Sequence, residues 1–459
     1  MANVCTTNLE SQIQTNIDSL TTSSCVEDLF AAAVSVSEFN SDCITSFVSN
    51  CAALPDRAIC STVPIGHMVF VNSIKAPVVA TQSGWASLDG RTFREDLLEG
   101  QLWTWGKNYG GSLATNNTTS RFSPGTVSGG GTNWRVAALT DEFGGGVKTD
   151  GTLWTWGQND VGQLGIGSTG AGTYRSSPGT VAGGGTNWRC IVIPKSVLTG
   201  SLMALKTDGT LWTWGCNSKG ELGTNTTVAR SSPGTTAGGI AIWCHIFATR
   251  YSVGGITTSG ILWTWGGNNN GILGTGDTVS RSSPGTVAGG GTNWCNAAGS
   301  QTMLGIKTDG SLWTWGSNSF GTIGDGTTTA RSSPGTVAGG GTNWTKIAGG
   351  CEFSLAIKTD GTLWTWGFNS SGRLGDGSYT SRSSPGTVAG GGTNWCRVDA
   401  NEAGIALKID GTLWTWGPNG GLLGDGTSFA RNSPGTTAGG GTTWVFISAG
   451  QGNQAAIRR

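Results

Sequence analysis

Long hydrophobic runs are missing from this chain. No stretch approaches the ~18 consecutive apolar residues that a membrane-spanning helix needs, so no span is expected. The opening Met1-Ala2-Asn3-Val4-Cys5 lacks a basic segment followed by an apolar one, so no secretory leader is expected. Charge is scarce, 12% of residues, and balanced, with 27 Lys+Arg against 27 Asp+Glu. A chain without a net field has little to hold a polyanion, which argues against nucleic acid as a partner. Histidine is nearly absent (His67 and His245), and the 11 cysteines include no Cys-x-x-Cys pair, which disfavours a zinc cluster. Neither histidine belongs to a Ser-His-Asp or Cys-His set. Asp325-Gly326 and Asp376-Gly377 lack the alternating carboxylates of a calcium loop and read as turns. The expectation is therefore a protein that is not an enzyme, with no cofactor and no metal. The odd cysteine count suits reduced thiols, with Cys190, Cys244, Cys295 and Cys396 as small fillers on strands. Disulfides among Cys25, Cys43, Cys51 and Cys60 stay open.

Glycine and tryptophan are abundant instead, at 80 and 22 of 459 residues. No Gly-X-Y period exists, so collagen is excluded, and so much tryptophan does not suit a disordered linker. The string Leu-Trp-Thr-Trp-Gly recurs seven times, beginning at Leu102, Leu153, Leu211, Leu262, Leu312, Leu363 and Leu413. Each copy is followed by an Asn, then by Arg-x-Ser-Pro, and closes on a tryptophan: Trp134, Trp188, Trp243, Trp294, Trp344, Trp395 and Trp444. A period near 50 residues is the size of a four-stranded propeller blade.

The unit after Trp344 predicts strands over 345–348, 353–358, 362–366 and 384–388. Asp360-Gly361 predicts a type I′ hairpin, and Pro385 suits an outer edge because it cannot donate to a central ladder. The first copy begins at a third strand, while the chain ends on a first and a second. The two termini should therefore pool their strands in one blade and close a ring of seven, removing open edges. In Trp-Thr-Trp both indoles lie on one face of the strand, and burial between blades is the simpler reading than a carbohydrate platform. The Arg-x-Ser-Pro arginines fit either a basic ring or buried or inter-blade salt bridges.

The sequence Ala356-Ile357-Lys358-Thr359-Asp360-Gly361, then Trp366-Gly367-Phe368-Asn369, then Gly372-Arg373-Leu374-Gly375-Asp376-Gly377, resembles the repeat of the regulator-of-chromosome-condensation family over about residues 101–459. That resemblance implies a seven-bladed propeller. It leaves activity open, since the family includes a nucleotide-exchange factor for a small GTPase, a β-lactamase inhibitor, and bacterial and viral surface proteins. The histidine usual before the Ala-Leu strand is absent at Gly350-Cys351-Glu352-Phe353. Residues 64–93, with Pro64-Ile65-Gly66, Ser83-Gly84-Trp85 and Asp89-Gly90-Arg91, resemble the opening of a phage tail-collar domain, and the linkers are similar to versions common in phage proteins.

The expected fold is thus all-β: a seven-bladed β-propeller over 99–459 with a shared closing blade, preceded by a small, partly helical region. Helical spacing at Leu9, Ile13, Ile17 and Leu20, and at Val26, Leu29, Phe30, Ala33 and Val34, marks 1–62 as an anchoring or oligomerisation region. Residues 63–98 are an extended connector. Strand parity puts the loops after strands one and three on one face, where the units differ. Recognition is expected there, at Tyr109, Phe143, Lys195, Lys219, Arg250, Tyr251, Phe320, Phe353, Phe368 and Arg373. The leading expectation is a phage virion protein of the tail or fibre, assembled in the host cytoplasm. It would bind virion partners through 1–98 and a host-surface protein or glycan through the variable loops. A bacterial protein-interaction scaffold or inhibitor, and a lectin-like adhesin, are the alternatives.

Overall fold

The computed structural model describes the strand backbone of residues 68–71, 76–81 and 84–87, and residues 99–195, 200–239 and 242–459 in full. Two compact units divide at Leu97/Leu98. In the first, strands Met68–Val71, Ala76–Thr81 and Gly84–Ser87 form a three-stranded antiparallel sheet. The helices expected in 1–62 and the five N-terminal cysteines lie outside the described residues.

The second unit consists of seven four-stranded antiparallel sheets, six of them built from four consecutive strands in sequence order. Blades 1 to 6 begin at Trp134, Trp188, Trp243, Trp294, Trp344 and Trp395. Blade 7 takes Trp444–Ala449 and Asn453–Arg458 from the C-terminus, and Gln101–Gly106 and Arg121–Thr126 from the N-terminal side. The junction is a continuous ladder from Asn453↔Gly106 to Arg458↔Gln101. The first strands of successive blades touch all the way round, blade 7 meeting blade 1, so the ring is closed.

The recurring residues each do one job in this closure. The second Trp of Leu-Trp-Thr-Trp-Gly is fully buried in every blade, and the Thr before it donates its hydroxyl to a carbonyl in the loop ahead, as Thr365 does to Leu374 at 2.7 Å. The Asn after the motif shapes that loop. Asn369 Oδ1 accepts from Leu374 N–H at 2.9 Å while its Nδ2 donates to the Ser378 and Thr380 carbonyls, satisfying backbone groups of an irregular segment. The motif's glycine is required by close approach. Gly367 sits at φ +110°, and a Cβ there would lie 2.6 Å from the Glu352 carbonyl oxygen.

In blade 5 the strands run Trp344–Gly349, Phe353–Lys358, Leu363–Gly367 and Arg382–Thr387, with Pro385 on the outer strand. The expected type I′ turn is not formed. Only Gly361 has positive φ, and Gly361 N–H bonds the Lys358 carbonyl while Lys358 N–H bonds that of Thr362. A I′ turn needs two left-handed central residues, and Asp360 instead turns its carboxylate onto Thr362. The Arg-x-Ser-Pro arginines pair within their own blades rather than forming a basic ring. Arg331 reaches Asp325 at 2.5 Å, Arg431 reaches Asp425 at 2.8 Å, and Arg121 and Arg175 cap carbonyls five residues on.

Candidate functional site: the variable loop face

Backbone hydrogen bonds join the loop after strand 1 to the loop after strand 3 within a blade: Gln158 to Glu142, Gly267 to Tyr251, Ser317 to Gln301, Phe368 to Glu352 and Lys107 to Gly452. Both loops therefore lie on one face, as parity requires. The opposite face is built from the 2–3 hairpins and the glycine returns, which bond across blades, for instance Trp395 N–H to the Gly361 carbonyl.

On the variable face the first loops form a ring around the central channel. Lys195 N–H bonds the Thr249 carbonyl, Arg250 N–H that of Ser300, and Cys351 N–H that of Asn401, each linking one blade to the next. Lys195 also spans the channel mouth. Its ammonium, from blade 2, meets Asp399 Oδ1 of blade 6 at 2.8 Å, the Gly349 carbonyl of blade 5 at 3.1 Å and the Ala400 carbonyl at 2.5 Å. Asp399 Oδ2 accepts from Ala449 N–H of blade 7 at 2.8 Å. Lys195 is thus a tie across the mouth rather than an open recognition residue. Its partner Asp399 comes from an inner strand, where loop comparison has no reason to look.

Two groups of expected residues do come together. Phe320 of blade 4 packs on Phe368 of blade 5 with centroids 4.4 Å apart, and the Arg373 guanidinium lies 5.2 Å over Phe368. Arg373 also approaches Glu352 at 3.7 Å, and Glu352 holds a left-handed backbone at φ +67°, uncommon for a residue with a side chain. In the second group the Arg250 guanidinium lies 5.2 Å over Tyr251, and the space above Gly267 is shared by Tyr251 and Lys219. Tyr109 stands apart, 57% exposed.

Phe143 and Phe353 are corrections. Each is buried to 1% exposure as the first residue of a second strand, inside the blade core. Their register partners are Gly157 and Gly367, and the same position holds buried Ser201, Ser252, Thr302 and Asn453 elsewhere. The side chain points between blades whatever the loop before it does. The motif's glycine, which makes room for this residue, was the available signal.

Around blades 6, 7 and 1 the same face turns acidic. Burial pushes the Asp141 carboxyl up to about 6, against the pull of Lys107 and with a further push from Glu402. Burial, with the fields of Asp141 and Asp160, also raises Glu142. Tyr174 donates its hydroxyl to Asp160 at 2.5 Å. Cys351 is raised mainly by burial, which makes it a poor nucleophile. Among the described residues no group of three or more His, Cys, Asp or Glu is placed to hold a metal ion.

The uniform face repeats one clamp. In blade 1, Lys148 lies 5.0 Å over Trp134 and 4.4 Å over Trp154, while Trp154 Nε1 donates to Thr152 Oγ1, which in turn donates to Asp150. Lys206, Lys307, Lys358 and Lys408 repeat it, and Arg458 takes the position in blade 7. Outside blade 3, the first Trp of the motif is therefore partly buried under a cation rather than presented as a flat platform.

Comparison with known proteins agrees with this architecture. Residues 150–193, 208–238, 259–301, 309–357 and 360–400 match the regulator of chromosome condensation (RCC1) repeat, and 344–373 match a second form of it. The chain is 27% identical over 199 residues to the ultraviolet-B receptor UVR8 of Arabidopsis thaliana, covering 41% of this chain and 42% of that protein. It is 37% identical over 130 residues to the RCC2 homolog of Danio rerio, covering 28% and 25%. The chain thus spans less than half the length of these relatives. Among solved structures, yeast RCC1 (Prp20) bound to Kap60 superposes with TM-score 0.68 at 16% identity, covering 80% of this chain and 92% of that one. Human WBSCR16 gives 0.69 at 18%, covering 79% and 99%. At that identity the likeness is one of fold. The chain carries RCC1-type repeats and folds as a seven-bladed β-propeller.

Proposed function

We propose that this protein acts by binding another protein through the variable loop face, and not by catalysis. The observation that supports this most is the Phe320–Phe368–Arg373 group. Two aromatics in tilted contact with an arginine, held on a rigid scaffold and partly open to solvent, are the residue types that carry binding energy at protein interfaces. Relatives of the same repeat type bind proteins: yeast Prp20 is solved with Kap60, and its binding to Gsp1p and histones is described. A face-specific test is cross-linking with mass spectrometry in the source cells. Phe320→Asp and Arg373→Glu should abolish a partner captured by the wild type, and Asp360→Ala on the opposite face should not. Equal capture by all three variants would sink this assignment.

The finer reading is a virion protein of a phage tail or fibre, with 1–98 attached to other virion proteins and the propeller displayed outward. It rests on the resemblance of 64–93 to a tail-collar opening and on the phage-like linkers. Purified particles should contain the full chain by mass spectrometry. Its absence from them would remove the virion assignment while leaving the binding face untouched.

A further inference from the structure

We propose that Arg373 and Arg250 are receptors for carboxylate side chains, so that the partner docks on the variable face through an acidic segment. This rests on the reading of that face as a binding surface and adds the chemistry of what it binds.

The two arginines differ from those that shape the blades. Each Arg-x-Ser-Pro arginine, from Arg121 to Arg431, donates a hydrogen bond inside its own blade. The guanidinium groups of Arg373 and Arg250 donate none to the described residues. The Arg373 side chain is 16% exposed and lies over Phe368. Its Nε is buried without a partner, which leaves Nη1 and Nη2 as the donors on offer. Glu352 stands 3.7 Å from Nη1, too far for a hydrogen bond. Arg250 repeats the device over Tyr251, with no ion pair among the described residues.

Both belong to one stretch of surface. Arg250 N–H bonds the Ser300 carbonyl, the next residue Gln301 reaches Cys351 Sγ at 3.7 Å, and Cys351 precedes Glu352, which faces Arg373. Phe320, 37% exposed, extends the stretch against Phe368. Lys219, Arg250 and Arg373 stand here with one carboxylate that reaches solvent, Glu352, because Glu221 is fully buried. The aspartates of the third loops are paired with Arg-x-Ser-Pro arginines. Charge complementarity therefore selects an acidic partner. A carboxylate matches the planar fork of a guanidinium, and an apolar residue beside it covers Phe320. Three cations are too few for a nucleic acid, which is held through many phosphates. Glu352, kept near the fork by a left-handed backbone without bonding it, is an internal competitor that an incoming carboxylate displaces.

The test is fluorescence anisotropy of the full chain with a labelled peptide of three Asp-Glu-Phe repeats, a Lys-Lys-Phe counterpart and a labelled oligothymidine. Saturable binding of the acidic peptide alone, weakened by salt, is expected. Arg373→Lys keeps the charge and loses the fork, and should weaken binding about tenfold, the worth of one charge-assisted contact. Arg250→Lys acts in the same direction. Glu352→Gln removes the competitor and should tighten binding about threefold, the scale of one exposed ion pair. Where Arg373→Lys melts early, Glu352→Gln decides, since a merely structural pair gives no tightening. Equal binding of the Lys-Lys-Phe peptide, tighter binding of the oligothymidine, or indifference to Arg373→Lys and Glu352→Gln overturns the proposal. The wider reading fails separately, when a cellular partner is still captured by Phe320→Asp. Capture lost in Phe320→Asp and unaltered in Arg373→Lys fails only the carboxylate.

Discussion

The indole nitrogen of Trp105 donates to the carbonyl of Leu422 across 2.9 Å, the two lying 317 positions apart in the chain. The second Trp of every other blade makes the same bond to the loop of the blade before it, at 2.8 to 3.0 Å: Trp156 to Ser112, Trp214 to Gln163, Trp265 to Glu221, Trp315 to Ile272, Trp366 to Thr322 and Trp416 to Arg373. Seven equivalent bonds complete a circuit, and the Trp105 bond is where the N-terminal side of the chain joins it.

Trp105→Phe keeps most of the ring volume and leaves a buried carbonyl without a donor, so it should cost about 1–3 kcal/mol in urea unfolding. Deleting residues 445–459 removes two strands of blade 7 and exposes the Gln101–Gly106 edge. The whole propeller should then lose its cooperative transition, as followed by circular dichroism. A truncated chain that melts as sharply as the full one would refute the shared-blade closure.

Lys195→Met should cost on the order of 2–3 kcal/mol, because it strips three acceptors of one charged donor at a partly buried site. A double-mutant cycle with Asp399→Asn separates the ion pair from the bonds to the Gly349 and Ala400 carbonyls. A coupling energy near zero would show that the tie across the channel mouth is not stabilising.

Blade 3 lacks the lysine clamp. Thr257, Ser259 and Ile261 stand where blade 5 has Lys358, Asp360 and Thr362, and Trp263 Nε1 is buried without a partner. The combined Thr257→Lys, Ser259→Asp and Ile261→Thr change should stabilise the protein by about 1–2 kcal/mol through a cation–π contact and a satisfied indole. Thermal melting against the wild type checks it, and an unchanged or lower midpoint counts against the clamp.

The Asp141 carboxyl, raised to about 6, sets a pH dependence of known sign. Between the ordinary carboxylate value and about 6 the native protein holds a proton that the unfolded chain has released. Stability from this group therefore falls as pH rises through that window, with the full penalty above about 6. Asp141→Asn should match the wild type near pH 4 and exceed it increasingly toward pH 7. The hairpin carboxyls Asp150, Asp208, Asp309 and Asp410 act oppositely. Side-chain hydroxyl bonds from Thr152, Thr210, Ser311 and Thr412 hold them below the usual range, so their stabilisation is lost as pH falls through those lowered values. Melting curves across this range that fail to separate the two effects would contradict the assignment.

Much of the fold was legible because the repeat is covalent information. Leu-Trp-Thr-Trp-Gly seven times, two strands missing before Leu102 and two left over after Trp444, fix the number of blades and the shared one without any contact being known. Edge position at Pro385 and the pairing of loops on two faces follow from backbone valence and antiparallel parity. The Asp360-Gly361 dipeptide alone points to a type I′ turn, because it does not register the bond from Thr362 to the Asp360 carboxylate.

The amino-acid sequence by itself determined a closed seven-bladed wheel with one uniform and one variable face, because identical units must bury identical surfaces. Only the tertiary structure decided which variable residues are available. Phe143 and Phe353 are turned inward by strand parity, Lys195 is drawn across the channel to an aspartate some 200 residues away, and Phe320 meets Phe368 from the next blade. Such pairings depend on distances through space around a ring, and spacing along the chain carries no record of them.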